Sequence, residues 1–123
     1  MPFSIFIAHP SSLLTDHRPH GDGLAAYGFI QALAERGHRL HIAAPRVAIR
    51  DELPPNAHVH ELIGRDLPEP LSRLSYMAKM RRLFSHLRRT TRFDLVHQLN
   101  PVDAGLSLAL ADVDLPLVLG PYV

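Results

Sequence analysis

Phe3-Ser4-Ile5-Phe6-Ile7-Ala8 and Leu33-Ala34-Glu35-Arg36-Gly37-His38-Arg39-Leu40-His41-Ile42-Ala43-Ala44 decide the fold class. The first is a β-branched and aromatic run that reads as a buried first strand. The second is the end of a helix, a glycine where a C′ residue belongs, and a second strand that alternates polar and apolar before Pro45 stops it. The helix is predicted over Leu24–Glu35, with Asp22 as its N-cap. Leu24, Ala25, Ala26, Tyr27, Phe29, Ile30, Leu33 and Ala34 make it apolar almost all round, as expected of a helix packed on a sheet. Strand, helix and strand in succession imply a parallel sheet with crossover helices.

The rest of the chain repeats this alternation. His9-Pro10-Ser11-Ser12 ends strand one, and a mostly polar loop leads to Asp22. Residues 46–56, with Pro54-Pro55, form a second loop. A third strand is expected over Ala57–Ile63, a long helix over Leu71–Thr91, a fourth strand over Asp94–His97, a third helix over Asn100–Ala111 and a fifth strand over Leu115–Leu119. The fold class is therefore α/β: a doubly wound, mostly parallel sheet of about five strands with helices on both faces. Ligands of such sheets bind beyond the carboxyl ends of the strands, where strand order switches. The chain stops at Gly120-Pro121-Tyr122-Val123, just past a strand, so a truncated chain or one half of a larger protein is expected.

Composition removes several function classes. The 123 residues suit one domain, with 46% hydrophobic and 20% charged residues. Thirteen Lys and Arg against twelve Asp and Glu leave a net charge of +1, which argues against a generally basic nucleic-acid-binding domain. The absence of Cys excludes disulfides, thiolate metal sites and Cys nucleophiles. The stretches free of Asp, Glu, Lys and Arg are too short to span a membrane, and the N-terminus lacks the charged region of a signal peptide.

Chemistry concentrates at a few places. Gly21-Asp22-Gly23-Leu24-Ala25-Ala26 fits G-x-G-x-x-G/A, a pattern that lets a phosphate approach the backbone at a helix N-terminus. A dinucleotide site would need this motif directly after strand one and an acid at the end of strand two. Here about a dozen residues intervene and strand two ends in Ala43-Ala44-Pro45, which disfavours a dinucleotide-dependent oxidoreductase. A sugar or phosphate contact and a purely structural role, a tight turn with close helix packing, stay open. His97 ends strand four and points toward the expected crevice, where an imidazole can donate to a hydroxyl or phosphate oxygen; a bond to a loop carbonyl is the alternative. Asn100 is a natural cap for the following helix, with Pro101 at its first position. His9, directly after strand one, is a candidate ligand contact.

Nine histidines are many for this length. His58 and His60 share a strand face and His17 and His20 share a loop, but either pair needs a third ligand before it can hold a metal, so no metal site is expected. His38 and His41 flank strand two and are expected to face solvent, and His86 lies among charged residues of the long helix. That helix also carries Lys79, Arg81, Arg82, Arg88 and Arg89. These form either a solvated basic face or an attachment to an anionic membrane surface. No aromatic residues interleave with the arginines as single-stranded nucleic acid would require.

Three segments together resemble the N-terminal domain of GT-B-type retaining glycosyltransferases. They are Gly21-Asp22-Gly23 with the helix that ends in Gly37-His38, then Phe93-Asp94-Leu95-Val96-His97, then Leu115-Pro116-Leu117-Val118-Leu119-Gly120-Pro121. The resemblance covers nearly the whole chain. Two positions depart from the usual pattern: Leu99 stands where many members have a second His, and Asp22 interrupts the usual glycine pair. The resemblance implies that residues 1–123 are one Rossmann-like domain, the acceptor-side half of a two-domain enzyme whose C-terminal donor-binding domain is absent from this sequence, so that the chain alone should not transfer sugar. It implies a nucleotide-sugar donor and a sugar acceptor as partners, with no cofactor and no metal. It implies that the loop of Gly21, Asp22 and Gly23 approaches the donor phosphates or the acceptor and that His97 or its neighbours touch the sugar; His97 is the catalytic candidate, and His9, Asn100 and Gly120 join the glycine loop as candidate substrate contacts. A cytoplasmic location follows, or one peripheral to the inner membrane face through Arg81, Arg82, Arg88 and Arg89. The reading from a different class is a non-catalytic α/β module whose basic helix docks a membrane or a partner.

Overall fold

A computed structural model describes residues 2–10, 13–18, 21–65, 67–68, 70–99 and 114–119. β1 (Ser4–Ala8) is the central strand, and every residue in it from Ile5 onward is buried. β3 (Arg39–Ala44) and β6 (Leu95–Gln98) pair with it on either side, β5 (Ala57–Glu61) lies outside β3, and β7 (Leu117–Leu119) lies outside β6. All five strands run parallel in the order β5-β3-β1-β6-β7. Strand order therefore reverses between β1 and β6, the switch point of a doubly wound sheet.

The period-2 alternation of β1 sends its side chains to two different cores. Ile5 and Ile7 join Leu40 and Ile42 of β3 beneath α1 (Gly21–Glu35). Phe6 and Ala8 join Ala43 and Val96 beneath α2 (Leu71–Leu87), whose Tyr76, Met80 and Phe84 are buried. Helices thus cover both faces, as the sequence implies.

α1 starts at Gly21, three residues before the expected Leu24, so Asp22 lies in the first turn and does not precede it. Nor is α1 buried all round. Gly23, Ala26, Tyr27, Ile30 and Ala34 form one buried stripe at helical spacing; the outward positions Ala25, Gly28 and Ala32 are apolar but too small to need cover, and Leu24 is exposed. The helix closes as expected. His38 N–H donates to Leu33 O (3.3 Å) and Gly37 N–H to Ala34 O (2.9 Å), the paired bonds of a Schellman cap, with Gly37 at φ +90°.

α2 ends at Leu87, and residues 88–90 are a turn. Two short strands arise within segments expected as loops: β2 (Leu14–Thr15) and β4 (Val47–Ala48) pair in parallel as a separate two-stranded sheet. The third helix expected over Asn100–Ala111 lies outside the described residues. Among the described residues no helix is long and apolar enough to cross a membrane.

Candidate functional site

The switch point places the ends of β1 and β6 side by side. Ile7 and Ala8 pair in register with His97 and Gln98, and Leu99 N–H extends the pairing by donating to Ala8 O at 2.9 Å. β1 continues into His9, whose N–H donates to Ala43 O (3.0 Å) and so ties the strand end to β3. The His9 side chain is fully buried, with Nε2 3.2 Å from Leu13 O. A carbonyl only accepts, so Nε2 carries the proton, and this imidazole fastens the start of the following loop.

That loop is clamped to the one after β3. Leu14 N–H donates to Arg46 O (2.8 Å) beside the β2–β4 pairing. The Asp16 carboxylate then accepts the backbone N–H of Arg50 (3.0 Å) and of Asp51 (2.8 Å), and the His17 ring at 2.8 Å. These donors hold the Asp16 carboxyl well below the usual carboxylate range, the Arg50 amide contributing most. Thr15 Oγ1 accepts the N–H groups of His17 (3.2 Å) and Arg18 (3.1 Å). From α1, Tyr27 O–H donates to Asp51 O (2.8 Å), and burial pushes its phenol up. Apart from the turn at Thr15 and the adjacent His17 ring, these partners are 24 to 35 positions apart in the chain, so no local motif marks Asp16 or Tyr27.

The residues singled out from sequence distribute as follows. Gly21 and Asp22 are exposed in the first turn of α1, which opens toward the carboxyl ends of the strands, and Gly23 is buried. A Cβ built on Gly21 meets nothing within 4 Å, and the only positive φ values among the described glycines are at Gly37 and Gly64. Gly21 thus serves no left-handed turn, and among the described residues nothing packs close above its Cα. His97 lies on the α1 face of β6 at 8% exposure, its ring edge-on to Phe29 with centroids 5.0 Å apart. Gln98 beside it is fully buried on the opposite face. Asn100 and Gly120 lie outside the described residues. Among those described, no group of three or more His, Asp or Glu is placed to hold a metal ion.

Arg88 and Arg89, just past α2, lie beside residues 90–93 at the amino end of β6, while Arg82 lines a cleft with Glu61 and Leu62 at the end of β5. The guanidinium groups of Arg88 and Arg81 lie over the Phe84 ring at 5.3 and 6.0 Å, and Arg88 pairs with Asp114 at 2.8 Å. Arg82 and Arg89 are exposed.

Comparison with known proteins adds one finding. The family model described as Glycosyltransferase Family 4 matches residues 21–121, most of the chain. No curated protein matches it.

Proposed function

The chain belongs to Glycosyltransferase Family 4, and from that premise we propose that it forms the acceptor-side wall of a two-domain GT-B cleft in which a sugar passes from a nucleotide-sugar donor to an acceptor. The observation that carries this reading is the open first turn of α1 at Gly21 and Asp22, on the carboxyl side of a sheet with its switch point between β1 and β6. The first-turn N–H groups and the helix dipole favour an anionic or hydroxyl oxygen there, and the exposed Asp22 carboxylate accepts from sugar hydroxyls. His97, its ring orientation set by Phe29, supplies a donor to the reacting sugar or its phosphate, with Asn100 and Gly120 as further contacts. His9 keeps the floor of the rim in place.

Retaining transfer needs the acceptor hydroxyl held in line and the leaving diphosphate neutralised. This wall performs the first task. A C-terminal donor-binding domain performs the second with protein groups, so the reaction runs without metal or cofactor. Calorimetry with UDP- and GDP-sugars tests the division of labour. The isolated chain is expected to bind them no tighter than about 1 mM, on the order of −4 kcal/mol. Micromolar binding would place the donor on this wall and overturn the assignment.

Exposed Leu71 (53%) and Leu74 (61%) favour a membrane-facing role for α2 beside the transferase function, because they share that helix with the exposed Arg82. Arg82 and Arg89 then meet anionic headgroups, while Arg81 and Arg88 stay against Phe84. Co-sedimentation with anionic vesicles, weakened by salt, is the expected result; equal binding to neutral vesicles removes this role.

A further inference from the structure

Three imidazoles meet on the α2 face of β3 and β5, away from the rim. His41, expected in solvent, is instead set by the register of the sheet opposite His58 and next to His60. The His41 ring stacks on His58 with centroids 4.8 Å apart and on His60 at 5.3 Å. His41 Nδ1 and His60 Nε2 are 3.0 Å apart, so a single proton bridges the two nitrogens. Phe93 packs edge-on against His41 at 5.8 Å.

The charged surroundings supply little relief for added protons. Arg39 lies on the same face of β3, beside Asp94, whose carboxylate accepts the Ser4 amide at 2.7 Å. On α2, Lys79, Arg82 and His86 line the cleft beside the end of β5. The carboxylate at that end, Glu61, is engaged by the Val47 amide at 2.8 Å.

We propose that the His41–His60 pair, with His58 stacked on His41, is a proton-sensitive latch: neutral, it fastens the edge strand β5 to β3, and the charge the pair takes up in acid loosens it. Burial, followed by the neighbouring His60 and His58, pushes His41 down to about 4, and burial followed by His58 lowers His60. A state with β5 released binds protons more readily than the closed one. The latch is therefore fully closed above about pH 6.5 and weakens as the pH falls toward about 4. Its effect reaches the rim, because the chain leaving β5 anchors the end of β3. Leu62 N–H donates to Ala44 O (2.9 Å), and Ile63 and Gly64 N–H to Pro45 O (2.9 and 3.0 Å).

Native-state hydrogen exchange by NMR tests this, with EDTA present so that protons are the only cation titrated. Rates are corrected for the intrinsic pH dependence of exchange. Between pH 6 and pH 5 the Leu62 and Ile63 amides are expected to lose protection by up to about tenfold per proton taken up, while the β1 amides lose less. His58→Gln, at an exposed position, and His60→Gln each flatten that loss, and the His41 ring titrates well below 6.5. Parallel loss of protection in β5 and β1, an unchanged slope in both variants, or a His41 midpoint near 6.5 would each overturn the latch.

Discussion

The two faces of the sheet are built from different chemistry. Beneath α2 the packing is aromatic: Phe6, Phe84 and Phe93 lie 4.8 to 5.7 Å apart by ring centroid, with Tyr76 and Met80 beside them. Beneath α1 it is mostly aliphatic, with Ile5, Ile7, Ile30, Leu40 and Ile42 against Ala26 and Ala34, and Tyr27 and Phe29 of the helix packed beside them. Large rings give the α2 face its burial and its stability. The α1 face instead sets a helix whose first turn stays open at the carboxyl end of the sheet, and whose Phe29 orients His97. One face serves mainly to hold the fold together, and the other positions the groups assigned to the proposed ligand.

The sharpest way to break this contrast is Phe84→Ala. Phe84 is 1% exposed and touches both other rings of its cluster. Its truncation is expected to cost about 3–5 kcal/mol, read as a shift in urea midpoint. A loss under about 1 kcal/mol would mean that the aromatic face is not the anchor. The same substitution also removes the ring beneath Arg81 and Arg88, so part of the loss belongs to that cover.

A smaller effect is expected at the rim. Asp16→Asn keeps the shape but removes the charge that the amides of Arg50 and Asp51 point at. The Asp16 pKa is lowered on folding from an ordinary 3.8, so its carboxylate stabilises the native state above that pH, and the benefit drains as the pH falls below it. Wild type should therefore have the higher urea midpoint at pH 7, with the gap to Asp16→Asn narrowing below about pH 4. Equal midpoints at pH 7 would show that the β2–β4 pairing alone holds the two loops together.

How far each region could be read from sequence follows from where its determinants lie. β1, the α1–Gly37–β3 passage and the two-sided cover are local signals of period and capping, and they stand in the structure as expected. The expected start of α1 falls late because Asp22 reads as an N-cap and Gly21 and Gly23 as turn glycines, whereas all three lie in the first turn. β2 and β4 are two residues each and rest on backbone pairing between distant loops, which leaves no periodic trace. Asp16 finds its partners 34 and 35 positions away, and His41 meets His60 only through the register of β3 with β5. In the candidate site, the glycines of α1 and His97 were legible as motif positions. The rim that surrounds them was not, because it is held by backbone groups that every residue has.

Two glycines give the finest test of the division between fold and site. Both border α1, and they differ in what the backbone asks of them. Gly37 sits at φ +90° in the Schellman cap, where a side chain is strained although no atom lies within 4 Å of its Cβ position. Gly37→Ala is therefore expected to cost about 1 kcal/mol. Gly21 has ordinary helical geometry and open space above it, so Gly21→Ala should change stability by less than about 0.5 kcal/mol, or raise it slightly through helix propensity. If Gly21 is glycine so that a sugar or phosphate can reach the first-turn N–H groups, the added methyl weakens acceptor binding in the assembled two-domain enzyme while the melting curve stays in place. A Gly21→Ala variant that unfolds early would instead assign that glycine to the fold and leave His97 and Asp22 to carry the site.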